Sequence, residues 1–258
     1  MSDLHKIKEY LQYPLQIQVA DEIASTNTAL KQLGRQGAPE GVVLVADSQT
    51  GGRGRNGRSF FSPPGCGIYM SLLLCPDMLP QNAALLTAAA AVAVSRAIQN
   101  VCGVDSQIKW VNDIFVKGKK CCGILTEADI DPDTKKVSFA VVGIGINVMP
   151  PKEGFPQEIS NIAGSVLQAY DETVRPRLAA EVLNLFMQLY REGNTSAFLQ
   201  EYRDRSMVIG QNINILKGDS ITPAFAKGID DNCNLVVTYP DGREEALSSG
   251  EISIRVTK

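Results

Sequence analysis

The sequence predicts an α+β fold: a mixed sheet flanked by helices, followed by a small β-barrel. Three observations carry this. Short runs rich in valine, isoleucine and leucine recur at 41–48, 68–74, 107–116, 121–128 and 137–148, separated by glycine and charged turn residues. The stretch from Ala83 to about Val101 is alanine-rich and apolar on most faces, as a helix packed against a sheet would be. After about Asn212 the texture changes to short β segments.

The elements follow in order. The N-terminal MSDLHKIKEY is charged and mixed; it reads as a frayed end without a signal core. Asp21 to Leu33 reads as a helix with Ser25 or Thr26 near its start, because Ile23, Leu30 and Leu33 recur on one side. GVVLVADS (41–48) is a buried strand, a glycine–arginine stretch follows directly, and IYMSLLL (68–74) is the next strand. Asn82 is a candidate cap for the helix beginning at Ala83. QIKWVNDIFV (107–116) reads as a strand that breaks at Asn112-Asp113 and resumes. Lys117-Gly118-Lys119 turns the chain into the returning strand CCGILTEA (121–128). Asp131-Pro132-Asp133 marks another turn before VSFAVVGIGINV (137–148). Arg177 to Arg191 is a helix with Leu178, Val182, Leu185, Phe186 and Leu189 on one face, and Ala197 to Arg203 starts a shorter one. INILK, ITPAFAKGI, NLVVTY, EEALS and EISIRV are then strands, with a hairpin signal at Asp241-Gly242. This organisation gives a main domain over 1–211 and a small β-domain over 212–258.

Composition excludes several chemistries. The net charge of −3 does not imply a nucleic-acid partner. The longest apolar run, Ala83 to Val94, is too short to span a bilayer, so a soluble, cytoplasmic protein without a membrane partner is expected. The six cysteines form no Cys-x-x-Cys pair and point to buried, reduced thiols rather than zinc ligands; no metal-ligating residues are assigned. The sole histidine, His5, stands in the terminal segment, which removes Ser-His-Asp and Cys-His mechanisms. Chemistry must run on lysine, arginine, carboxylates and backbone groups.

Four motifs remain. In GGRGRNGR (51–58), glycines let backbone N–H groups approach a ligand and Arg53, Arg55 and Arg58 offer forked donors to phosphate or carboxylate. A solvated loop and a single-stranded RNA segment are the other readings; the spacing is not a Walker A loop. In KWVND (109–113), Lys109 is either a strand-edge lysine with its head in water or a cation that neutralises a transferring phosphoryl group or a carboxylate, and Asp113 suits a turn cap. STN (25–27) either caps a helix or recognises a polar ring. The glycines of GIGIN (143–147) mark close approach by a ligand or backbone, or tight sheet–helix packing.

Taken in order, STN, QTGGRGRNGR, KWVND, CCGIL, GIGIN and a small β-domain ending in GEISIRV closely resemble biotin protein ligase, from about Ile23 to the C-terminus. The family's arginine loop GRGRxGR is matched by Gly52 to Arg58. Its KWPND motif is matched by Lys109 to Asp113, except that Val111 replaces proline; Phe60 stands where the family often has tryptophan. The resemblance implies a class II synthetase-like catalytic domain of the biotin–lipoate ligase type and an SH3-like C-terminal barrel. It implies that biotin and ATP, with Mg2+, give biotinyl-5′-AMP and pyrophosphate, and that a lysine of a biotin carboxyl carrier protein then attacks the mixed anhydride. It places Ser25, Thr26, Asn27 and Gln49 around biotin, Arg53, Gly54 and Arg55 over biotin and the adenylate, and Lys109 at the carboxylate and α-phosphate. Gly52, Arg58, Phe60, Asn112 and Asn147 fall on the nucleotide side, and Lys109, Arg53 and Arg55 are the catalytic candidates. A homodimer is plausible by the same resemblance. Only 24 residues precede Ser25, so no DNA binding is expected. The alternatives are a lipoate or octanoate ligase of the same fold and a non-catalytic biotin or nucleotide sensor.

Overall fold

Alternating side chains decide which helix covers which face of the central sheet. In this computed structural model, which describes residues 2–169, 171, 173–217, 220–248 and 253–256, seven strands form one sheet. They are β1 (Gln16–Ile23), β2 (Val42–Gln49), β3 (Gly67–Leu74), β4 (Gln107–Lys109), β5 (Asp113–Val116), β6 (Lys119–Ile130) and β7 (Val137–Asn147). The spatial order is β1-β2-β3-β7-β6-β5-β4. β1 and β2 run parallel and every other pair is antiparallel, so the sheet is mixed.

Val42, Leu44, Leu73, Phe139 and Val141 point to one face and bury Leu30 of helix α1 (Thr26–Arg35). Val43, Val45, Leu72, Leu74, Ala140 and Val142 point to the other face. There they meet α2 (Ala83–Cys102) and α3 (Val174–Glu192). Both helices end on a left-handed glycine, Gly103 and Gly193, each at φ 64°. Pro80–Cys102 as a whole is long and apolar enough to cross a membrane, beyond what the run from Ala83 to Val94 implies. However, 67% of its most apolar window is buried inside the protein, as the core helix beneath the sheet.

A short α4 (Thr195–Asp204) leads to a second sheet of β8 (Asn212–Lys217), β9 (Ser220–Ile229), β10 (Leu235–Thr238), β11 (Glu244–Leu247) and β12 (Ser253–Val256). Its order is β11-β10-β9-β8-β12, antiparallel throughout. Ile213, Ile215, Ala226, Leu235 and Val237 form its buried side. Gly250, Glu251 and Ile252 of the C-terminal GEISIRV lie outside the described residues.

Several expectations need correction. The segment from Asp21 is the end of strand β1, and helix α1 begins only at Thr26. β1 escaped notice because it is an edge strand of mostly polar residues in which Ile17 alone is buried. The N-terminus is not frayed: Asp3–Tyr10 is a 3-10 helix whose Leu4 and Ile7 are fully buried. Three-residue spacing puts both on one side of a helix with three residues per turn, and His5 is exposed. Arg175, itself 3% exposed, pairs with Asp3 (3.1 Å) and with Asp47, and its Nε donates to Gly67 O at 2.9 Å. Asn82 makes no side-chain cap; a 3-10 turn, Pro80–Asn82, precedes α2 instead. The 107–116 stretch is not one strand with a break. It is a hairpin, β4 paired antiparallel with β5, and the chain reverses from Trp110. The cysteines are free: Cys66, Cys121, Cys122 and Cys233 are buried, and burial pushes the Cys121 thiol up to about 12, while Cys75 is exposed.

Candidate active site

The α1 face of the sheet is filled by Phe139 and Val141 and then opens where β7 carries Gly143 and Gly145. Two cross-strand rows line the opening. Ser71, Gly143 and Leu125 form the first. Tyr69, Gly145, Gly123 and Asp113 form the second, two residues and about 7 Å further along. A methyl group on Gly143 would overlap the Asn27 side chain, with Cγ 2.7 Å away. One on Gly145 would come within 2.6 Å of the Phe60 ring. The strand glycines therefore make room for side chains that enter the cleft from α1 and from the arginine loop.

The first row builds a neutral pocket. Ser25 caps α1 by accepting from Thr28 N at 3.4 Å, which places Thr26 and Asn27 in the first turn. Thr26 donates to Gln49 Oε1 from its N at 2.9 Å and its Oγ1 at 3.2 Å, and Gln49 Nε2 donates to Ser62 Oγ at 3.1 Å. Ser71 Oγ, fully buried, lies 2.6 Å from Asn27 Oδ1 and 2.8 Å from Thr26 Oγ1. Asn27 Nδ2 donates to Leu125 O at 3.1 Å and to Glu127 Oε2 at 3.2 Å. Four side chains are thus fixed in orientation before any ligand is considered.

The arginine loop is a small hairpin. Phe60 N donates to Gly52 O at 2.9 Å and Gly54 N to Arg58 O at 2.7 Å. Asn56 (φ 54°) and Gly57 (φ 72°) turn the chain with both residues left-handed, the Asn-Gly signature of a type I′ turn. Arg53 reaches Glu127 Oε2 at 2.9 Å, and Lys31 meets the other oxygen at 3.0 Å. Burial raises the Glu127 carboxyl, but hydrogen bonds from Lys31 and Asn27 and the charges of Lys31 and Arg53 outweigh it, so the net shift is downward.

The second row is cationic. Lys109 ends β4, with Nζ 5.9 Å from the Phe115 ring centre. Asn112 donates to Ile124 O at 2.9 Å and accepts from Arg55 Nη1 at 3.1 Å. Arg55 Nη2 is buried and has no hydrogen-bond partner. Burial pulls the Arg55 pKa down while the Asp113 charge pulls it up. Asp113 is not a simple turn cap: Lys120 Nζ lies 2.6 Å from its Oδ1, facing the cleft. Phe60 stands over Gly145 and Gly123, edge-on to Tyr69 with ring centres 6.3 Å apart.

Of the residues singled out from sequence, Ser25, Thr26, Asn27, Gln49, Arg53, Gly54, Arg55, Arg58, Phe60, Lys109 and Asn112 line this one cleft. Gly52 and Asn147 do not. Gly52 packs against Ser62 Oγ, and Asn147 Nδ2 donates to Gly164 O at 3.1 Å, holding the segment after β7. Sequence reasoning missed Ser71, Ser62, Glu127 and Lys120. Ser71 left a signal, a lone hydroxyl inside IYMSLLL; Glu127 reaches the site only through the sheet register, Ser62 from the loop that follows Phe60, and Lys120 across the β5–β6 turn. Among the described residues no three His, Cys, Asp or Glu side chains gather to hold a metal ion.

Comparison with known proteins agrees with this geometry. Residues 19–147 match the model of the biotin/lipoate A/B protein ligase family, and residues 208–255 match the biotin protein ligase C-terminal domain. The bifunctional ligase/repressor BirA of Bacillus spizizenii is 38% identical over 233 residues, 89% of this chain and 71% of that protein. The biotin–[acetyl-CoA-carboxylase] ligase of Mycobacterium tuberculosis is 31% identical over 244 residues, 92% of this chain and 88% of that one. The structure of the Aquifex aeolicus biotin protein ligase in complex with biotin and ATP superposes with a TM-score of 0.72 at 27% identity, covering 94% of this chain and 99% of that one.

Proposed function

This chain belongs to the biotin/lipoate A/B protein ligase family and acts as an ATP-dependent ligase for biotin; we propose that it forms biotinyl-5′-AMP and then biotinylates a lysine of a carboxylase's carrier domain. The observation that carries this is the two-row cleft. A neutral, pre-oriented hydrogen-bonding pocket adjoins a cationic row in which one guanidinium nitrogen is buried without a partner. A neutral ureido ring suits the first and a carboxylate meeting an α-phosphate suits the second.

Ser25, Thr26, Asn27 and Gln49, joined by Ser71, are assigned to the ureido ring, where several directed hydrogen bonds give selectivity. Arg53 and Gly54 close the loop over the acid. In the first step a biotin carboxylate oxygen attacks the α-phosphorus, and the bond to the β-phosphate oxygen breaks to release pyrophosphate. Lys109 and Arg55 neutralise the charge that builds there. In the second, the carrier amine attacks the carbonyl, loses its proton, and AMP leaves with the electron pair. Arg58, Phe60 and Asn112 serve the nucleotide, whereas Gly52 and Asn147 shape the walls. Mg2+ is proposed to arrive on the ATP phosphates, since Asp113, the one carboxylate lining the cleft among the described residues, is already paired with Lys120.

The test is ATP–pyrophosphate exchange with biotin, lipoate, octanoate or no acid. Exchange is expected with biotin only; exchange driven by lipoate or octanoate instead would move the protein to the lipoyl branch, and none with any acid would remove the catalytic reading. A second expected outcome concerns the loop. Hydrogen exchange of residues 51–60 slows on adding biotin, because a bound acid adds anchors for Arg53 and Arg55. Unchanged exchange there would refute closure of the loop over the ligand.

A further inference from the structure

The two rows of the cleft are held by different parts of the chain. Thr26, Asn27 and Gln49 take their partners from β3, β6 and the 62 position. The cationic row hangs on the short β4–β5 hairpin, whose backbone is gripped from behind by later residues. Tyr202 of α4, fully buried, donates its hydroxyl to Val111 O at 2.9 Å. Trp110 Nε1 donates to Cys233 O, in the turn between β9 and β10, at 2.8 Å. Ile108 N donates to Arg205 O at 2.8 Å and Ile108 O accepts from Met207 N at 2.9 Å. Arg203 Nε, one residue from Tyr202, donates to Ile229 O at 2.8 Å.

Residues 108, 110 and 111 are thereby fixed on both sides of Lys109 and just before Asn112. We infer that Tyr202 is a positioning residue for the adenylation step. Its hydroxyl, with the Trp110–Cys233 bond, sets the height of the 110–112 turn. It thus sets where Lys109, Asn112 and, through Asn112, Arg55 meet the phosphates. The second sheet is on this view the buttress of the nucleotide row rather than of the biotin pocket. Burial pushes the Tyr202 hydroxyl well above its ordinary pKa, so it remains a donor throughout the working range. The inference rests on the ligase reading above.

Tyr202→Phe keeps the ring and removes the hydroxyl, leaving Val111 O buried and unmatched and taking a partner from the Cys233 thiol. In biotin-dependent ATP–pyrophosphate exchange, kcat/KM for ATP is expected to fall about tenfold. Biotin affinity measured by calorimetry without ATP is expected to change by less than about threefold, because the ureido contacts are untouched and only the carboxylate end faces Lys109. Trp110→Phe, which removes the other donor, is expected to give the same split. A merely structural role would weaken biotin and ATP together; that result, or wild-type ATP kinetics in both variants, would overturn the inference. Wild-type exchange is the reference: its absence would overturn the ligase reading and this inference together, whereas active wild type with unaffected variants would overturn this inference alone.

Discussion

Lys109→Ala is expected to slow biotin-dependent pyrophosphate release by about a thousandfold, while the protein unfolds within about 1 kcal/mol of wild type. The asymmetry follows from where the ammonium sits. Lys109 is half-buried at the end of β4, lines the cleft beside Arg55 and Asn112, and belongs to no hydrophobic cluster. Its removal takes little packing away. In the transition state, however, negative charge accumulates on the α-phosphate in a site partly shielded from water, where a fixed cation acts with little screening. Lys109→Arg is expected to recover little, because a planar fork cannot occupy the place of a compact ammonium without displacing its neighbours. Rapid-quench measurement of adenylate formation, beside denaturant unfolding, checks both halves. An alanine variant that turns over like wild type would remove Lys109 from the chemistry.

Strands β2, β3 and β7 of the central sheet were legible because their side chains are buried on both faces and read as continuous apolar runs. β1 was not, because an edge strand exposes one side and carries QIQVADEI, whose polar residues hide the alternation. The charged members of the site were legible for a related reason. Arginines and lysines between apolar runs need a partner, and Arg53, Arg55 and Lys109 stand out against the sequence. Ser71 and Glu127 act through neighbours 44 and 100 positions away, Asn27 in both cases. Only the register β3–β7–β6 brings them together, and register is not written in any one segment. The Asp113–Lys120 pair is local, but its direction toward the cleft depends on the β4–β5 hairpin, which reads as a single interrupted strand in one dimension.

Gly143→Ala crowds the cleft at its narrowest point and is expected to raise the KM for biotin about a hundredfold. The backbone at Gly143 is ordinary strand, so alanine meets no conformational penalty; the effect is steric. Its methyl group would overlap Asn27 Oδ1 and lie 2.7 Å from Cγ and 3.0 Å from Nδ2. Asn27 cannot simply retreat. It is 5% exposed and held by Ser71, Leu125 O and Glu127. Making room means giving up two or more of those bonds, each about 1 kcal/mol net and more where a buried partner is left unmatched. The overpacked strand would lose about 1–3 kcal/mol of stability as well. Gly145→Ala is the matched comparison. Its methyl would meet the Phe60 ring, which is only half-buried and can swing toward the loop, so its effect falls on ATP rather than biotin. The double variant Gly143→Ala/Asn27→Ala separates the two consequences. It is expected to relieve the crowding but to stay less stable than wild type, since Leu125 O loses its partner, and to keep the high KM, because the space returns but the amide does not. A Gly143→Ala enzyme with wild-type biotin KM would mean that Asn27 does not hold the acid, and would leave the neutral row without the role assigned to it.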